Sequence, residues 1–162
     1  ESVSSSKKIV IDADAIKPLF DHYDLIKNSE TIITPHAKEF TDLTGEKLSS
    51  SLSEKKDVIA SWAKRLGITF FVKGSTDVLS DGNITRLNTV HNPAMTVGGT
   101  GDVLAGMIAA LFAKNSTAMN AVRIAAFLNG EAGNQAFNIK SYGLLATDII
   151  ENIPKVLKTY VK

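Results

Sequence analysis

The chain has 162 residues, 44% of them hydrophobic and 22% charged, with a net charge of +1, which predicts one globular domain able to bury a sizeable core. That balance, without a basic run, gives no footing for a nucleic-acid or acidic-membrane partner. There is no cysteine, so disulfides, thiolate metal sites and cysteine nucleophiles are excluded.

No apolar run reaches the roughly 18 residues needed to span a bilayer, and no signal peptide opens the chain. A cytoplasmic setting is therefore expected. The sequence begins with Glu1, and "ESVSSSKK" reads as a leading loop over residues 1–7. One domain is expected over 8–162, as a piece of something longer.

In chain order, "KKIVID" (7–12) predicts a short buried parallel strand ending in a carboxylate. "AIKPLFDHYDLIK" reads as irregular or helical, with Pro18 tolerable only near a helix start. "TIIT" (31–34) predicts a second strand, stopped by Pro35, and a helix follows from His36 to a Gly45 cap. Ser51 and Glu54 have capping-box spacing before Val58, Ile59, Trp62 and Leu66, which share one helical face closed by Gly67.

Next come "ITFFVK" (68–73), then "DVLS" and "ITRLN" flanking Asp81-Gly82-Asn83, a hairpin signal. "VLAGMIAALFAK" and "AMNAVRIAAFLNGEAGNQAF" predict two alanine-rich helices. Thr147 is expected to cap a last helix that Pro154 breaks or kinks. Strands alternating with helices imply a layered α/β domain with a mostly parallel sheet and a local antiparallel edge. Asp12, Thr34-Pro35-His36 and Lys73-Gly74 fall where strands end, the rim at which such sheets bind ligands.

"TVGGTGDVLAGM" (96–107) crowds four glycines around Asp102. It lacks the third glycine of a dinucleotide fingerprint and the Gly-Lys-Ser/Thr of a Walker loop, and the chain holds no G-x-S-x-G elbow. Leu104, Met107, Ile108 and Leu111 repeat at helical spacing, so a helix starts near Asp102. Its first N–H groups and dipole make an anion site that glycines let a ligand approach. Asp102 then reads either as a general base or as a plain N-cap with a tight entry turn. Local physics leaves both open.

"GGTGDVLAG", together with "DADA" at 12–15, "TPHAKEFTDLTG" at 34–45 and "VKGSTDVLSDG" at 72–82, resembles the ATP/ADP-dependent NAD(P)H-hydrate dehydratases of the ribokinase-like superfamily. The likeness runs from about Lys8 to Lys158. It implies a three-layer α/β/α ribokinase-like fold, mostly parallel with a local antiparallel hairpin, lacking the first third of the family domain. It also implies a repair enzyme: ATP or ADP, with Mg2+, phosphorylates the ring hydroxyl of hydrated NADH or NADPH, and phosphate then leaves.

By the same resemblance Asp102 is the base, and Gly99, Thr100 and Gly101 form the anion hole. Nucleotide contacts fall to Lys73, Gly74, Ser75, Thr76 and Asp77, and to Asn92, Pro93, Ala94, Met95, Thr96, Val97, Gly98 and the anion-hole residues. The hydrated dinucleotide meets His36, Ala37, Lys38, Glu39, Phe40, Thr41, Asp42 and Asp102. His36 stands where the superfamily has Asn in N-x-x-E, so Glu39 is not expected to coordinate magnesium directly, and no metal ligand is assigned. His36 also reads as a plain helix cap and Lys73 as a solvated strand end. Asp12 and Asp14 read equally as turn residues, and His22 and His91 as surface residues. Family members are often multimeric, so the resemblance leaves room for a homo-oligomer without fixing the oligomeric state. Two other readings stand beside the dehydratase. One is a ribokinase-like kinase for a vitamin precursor or sugar; the other is a non-catalytic nucleotide-binding fragment or subunit.

Overall fold

The β-branched and aromatic runs form five strands: β1 (Ile9–Ile11), β2 (Thr31–Ile33), β3 (Thr69–Val72), β4 (Asp77–Ser80) and β5 (Thr85–Asn88). The structure is a computed structural model that describes residues 7–114 and 116–160, so the expected leading loop lies outside the described residues except for Lys7. The strands lie side by side in chain order. β1–β2 and β2–β3 pair in parallel, β3–β4 and β4–β5 antiparallel. The sheet is mixed, and its antiparallel part reaches one strand further in than the expected hairpin.

Successive strand residues point to opposite faces, which sorts the core into two layers. Ile33, Phe70, Val72 and Val78 meet α1 (Ala37–Thr44) and α2 (Leu52–Leu66) through Phe40, Ile59, Trp62 and Leu66. Ile32, Phe71 and Leu79 meet α3 (Thr100–Ala113) and α4 (Ala118–Lys140) through Leu104, Ile108, Phe112 and Val122. The last helix, α5 (Ala146–Tyr160), adds Ile149 and Val156 to a third cluster with Leu128, Ala132 and Ala136 of α4. Phe70 and Phe71 are buried, one toward each layer, and each stabilises the sandwich by about 1.5–3 kcal/mol. The result is the three-layer α/β/α arrangement. Among the described residues no helix is long and apolar enough to cross a membrane.

Several local expectations need correction. α3 starts at Thr100 with Gly99 as its N-cap, so Asp102 is its third residue and caps nothing. The Ser51 side chain makes no cap bond to α2, and the Ser51 N–H itself is taken by the Ser49 hydroxyl at 3.1 Å. Thr147 is already inside α5; the Asp148 carboxylate accepts the Leu145 N–H instead, at 2.8 Å. Pro154 does not break that helix. It lies on the exposed face, where water serves the carbonyl that loses its usual donor. The segment after β1 is irregular, as two 3-10 stretches, Ala13–Leu19 and Tyr23–Leu25, with Pro18 near the end of the first.

Candidate active site at the strand ends

Three adjacent strands deliver their next residues to one rim. The Thr34 N–H donates to the Ile11 carbonyl at 3.0 Å and the Lys73 N–H to the Pro35 carbonyl at 2.8 Å, so pairing continues past the strand ends. His36 and Lys73 form the last parallel bridge. This register brings Asp12, Thr34 and Lys73 together. Asp12 Oδ1 accepts from Thr34 Oγ1 at 2.7 Å and from Lys73 Nζ at 2.7 Å. Lys73 is no solvated strand end, since its side chain is 24% exposed and that of Asp12 13%. Asp14 faces away, with its carboxylate bonded to Lys17 Nζ at 2.6 Å on the open surface.

The glycine stretch closes the rim from above. Gly99 sits at φ 88°, a conformation that favours glycine. Thr100 Oγ1 donates to the carbonyls of Met95 at 2.7 Å and Val97 at 3.0 Å, which ties the loop down on itself. Asn92 braces its start: Oδ1 accepts the Ala94 N–H at 3.1 Å and Nδ2 donates to Asn134 Oδ1 at 2.8 Å. The Thr100 N–H returns to Val97. The Gly101 and Asp102 N–H groups have no acceptor among the described residues. The Asp102 side chain is exposed and likewise makes no hydrogen bond among them. A helix dipole, two free N–H groups and an unpaired carboxylate thus share one turn.

Below this loop lies a cavity of about 540 Å³. Of the expected nucleotide residues, Lys73, Gly74, Ser75, Asp77, Asn92, Pro93, Met95, Thr96, Thr100 and Gly101 line it, and so does His36. Thr76, Ala94, Val97, Gly98 and Gly99 do not, nor does Asp102, which stands one residue beyond the Gly101 wall. Asp77 builds the turn more than it faces the space. Its Oδ1 accepts the Gly74 N–H at 2.9 Å and its Oδ2 the Asn88 Nδ2 at 2.9 Å. Burial pushes the Asp77 carboxyl above the usual range, against the pull of those two bonds and of the His91 and Lys55 charges. Lys55, whose ammonium burial pushes down, reaches the Thr76 carbonyl from α2 at 3.4 Å.

Sequence reasoning missed part of this wall. His91 is not a surface residue: its side chain is 22% exposed and Nε2 lies 3.7 Å from Asp77 Oδ2. Asn88, Thr89, Val90, Asn129 and Gly130 join it in the lining. His91 Nε2 and Asn129 Oδ1 are buried polar atoms without a hydrogen-bond partner among the described residues. A Cβ at Gly130 would overlap the Val90 carbonyl, so that glycine lets α4 press on the loop after β5. The available signal was "NGEAGN" in α4, an amide beside a glycine inside a helix.

The 36–42 segment divides. His36 Nδ1 accepts the N–H groups of Lys38 and Glu39, both at 3.1 Å, while Glu39 Oε2 accepts the His36 N–H at 2.8 Å. His36 is therefore a helix cap in a reciprocal box as well as a cavity residue. Ala37, Lys38 and Thr41 line a separate hollow of about 310 Å³. Asp42 pairs with Lys38 on the surface at 2.7 Å. Phe40 cannot meet a ligand, because it is fully buried and packs edge-on against Phe70 with centroids 5.5 Å apart. Among the described residues no three His, Asp or Glu side chains cluster as metal ligands, and Glu39 is committed to its cap.

The sequence model described as NAD(P)H-hydrate dehydratase matches residues 1–155. The chain is 42% identical over 158 residues to a bifunctional NAD(P)H-hydrate repair enzyme from Pyrobaculum aerophilum, covering 98% of this chain and 31% of that protein. It is 39% identical to an ADP-dependent (S)-NAD(P)H-hydrate dehydratase from Nitrosopumilus maritimus, over 96% of this chain and 53% of the other. The ADP/ATP-dependent NAD(P)H-hydrate dehydratase from Bacillus subtilis, co-crystallized with ATP/Mg2+ and soaked with CoA, superposes with a TM-score of 0.83 at 26% identity, over 98% of this chain and 58% of that one. The chain thus spans about a third to a half of the length of these two curated relatives. With the family model matched over nearly its whole length, the chain belongs to the NAD(P)H-hydrate dehydratase family.

Proposed function

We propose that this chain carries the phosphoryl-transfer half of a nucleotide-dependent NAD(P)H-hydrate dehydratase. The observation that carries the reading is the start of α3, where among the described residues the Gly101 and Asp102 N–H groups and the Asp102 carboxylate have no partner and Gly101 lines the cavity. ATP or ADP lies along 92–101 and the 73–77 turn, its terminal phosphoryl at the N–H groups, which stabilise charge as it develops. Asp102 takes the proton of the ring hydroxyl of hydrated NADH or NADPH. The hydroxyl oxygen bonds to the terminal phosphorus as the bond to the leaving ADP or AMP breaks. Phosphate then departs with the carbon–oxygen electron pair, the adjacent ring carbon releases a proton, and the double bond returns. Magnesium, when bound, neutralises phosphate charge. It would travel with the nucleotide, held by phosphates and water rather than by a set of carboxylates.

The test offers hydrated NADH or NADPH with ATP or ADP and follows reduced-nicotinamide absorbance. Recovery with either nucleotide is the expected result. Phosphorylated hydrate that accumulates without recovery would instead mark a small-molecule kinase, and nucleotide binding without turnover a non-catalytic fragment.

A further inference from the structure

Lys73 and Gly101 approach each other across the cavity edge. A Cβ at Gly101 would stand 3.4 Å from Lys73 Nζ and 3.8 Å from Asp12 Oδ2. The ammonium therefore lies against the turn that carries the free N–H groups, with no side chain between them. Among the described residues its one hydrogen-bond partner is Asp12 Oδ1, at 2.7 Å. An ammonium has three donors, so two remain for a ligand in the cavity that Lys73 lines. Asp12 is itself anchored. Thr34 Oγ1 donates to the same oxygen at 2.7 Å, and the Thr34 N–H holds the Ile11 carbonyl at 3.0 Å. A flexible four-carbon side chain is thus fixed at its far end by a carboxylate built into the ends of β1 and β2.

The pair is close to neutral, so it adds little net attraction for an anion. What it supplies is placement of two N–H donors beside the turn that carries the α3 N–H groups. We propose that Asp12 is a positioning residue that holds the Lys73 ammonium beside Gly101 to receive the phosphates of a nucleoside di- or triphosphate. This rests on the nucleotide-dependent reading of the site and goes beyond it in assigning a role to Asp12. Positioning and charge restraint make opposite predictions. If Asp12 merely cancelled Lys73, removing it would strengthen nucleotide binding.

The experiment is a mutant cycle on the 162-residue chain, D12A, K73A and the double variant, read by calorimetric titration with ATP and with ADP and by thermal melts. Both single variants are expected to weaken nucleotide binding by roughly tenfold or more, the usual worth of a hydrogen bond to a charged group. The double variant should bind no worse than K73A, because Asp12 acts through Lys73. D12N keeps an acceptor oxygen for Lys73 and Thr34 and should recover most of the affinity. Tighter binding by D12A, losses that add in the double variant, or no loss in K73A would each overturn the proposal. A drop in melting temperature with unchanged affinity would overturn it too. Binding is read without hydrated NADH, so a wild type that binds nucleotide and shows this pattern while leaving the hydrate untouched would sink the dehydratase reading and leave Asp12's role standing. A wild type that binds neither nucleotide would overturn both.

Discussion

α1 and α3 both begin on the ligand rim, yet their N-termini are built in opposite ways. α1 closes on itself: His36 takes the Lys38 and Glu39 N–H groups, and Glu39 takes the His36 N–H. α3 starts from a glycine with no side chain to offer, and its Gly101 and Asp102 N–H groups stay unclaimed among the described residues. Every helix start leaves several N–H groups without partners inside the helix. A cap side chain that takes them stabilises the fold; a glycine leaves them to a ligand. Changes at α1 should therefore register mainly in stability, and changes at α3 mainly in chemistry.

The largest expected effect comes from Asp102. D102N keeps the shape of the exposed side chain and disturbs no hydrogen bond among the described residues. Turnover of hydrated NADH should fall by about 10²–10⁴, the usual contribution of a general base, with nucleotide affinity and melting temperature held. A matching loss of stability would return Asp102 to a structural role. Next is G99A. Its φ of 88° is strained for alanine, and the new Cβ would stand 3.0 Å from that of Ala146. Left-handed backbone costs a residue with a side chain roughly 1–2 kcal/mol. The melt should shift down, and nucleotide affinity should fall with it as the loop turns its N–H groups away.

Local spacing made much of this fold legible. The strands at 31–33 and 69–72 and the Gly45 and Gly67 helix ends were readable because buried apolar runs and glycine caps are local signals. β1 at 9–11 is a strand as expected but not a buried one, with Ile9 exposed and Val10 and Ile11 only part-buried. The anion-binding turn was readable from glycines ahead of an apolar helix. The features that sequence could not resolve depend on distance in the fold. Phe40 sits among candidate ligand residues in the sequence, but helical geometry turns it into the core. His91 and Asn129 are far apart in the chain and become neighbours of one cavity only when α4 packs beside the loop after β5. Whether Asp102 capped its helix turned on a three-residue shift in where that helix begins, with Gly99 and not Asp102 as the N-cap, which apolar periodicity cannot fix.

A smaller effect belongs to α1. H36A removes the imidazole half of the box and leaves the backbone N–H that Glu39 accepts, and losing a cap of this kind costs about 0.5–2 kcal/mol. The expected result is a lower melting temperature with a minor change in nucleotide affinity. An affinity loss as large as that of G99A would erase the contrast between the two helix starts.

The smallest effect tests a third N-terminus that stands between them. Asp148, the third residue of α5, uses its carboxylate as Asp102 does not: Oδ1 accepts from Lys140 Nζ at 2.8 Å and Oδ2 from the Leu145 N–H at 2.8 Å. The Lys140 bond, then the Leu145 bond, holds its carboxyl below the ordinary range. A carboxyl lowered by folding gives stability that is present above its unfolded value of about 3.9 and lost as pH falls through the folded value. Acid melts should show wild type losing stability below about pH 4 more steeply than D148N, with the two curves converging at the acid end.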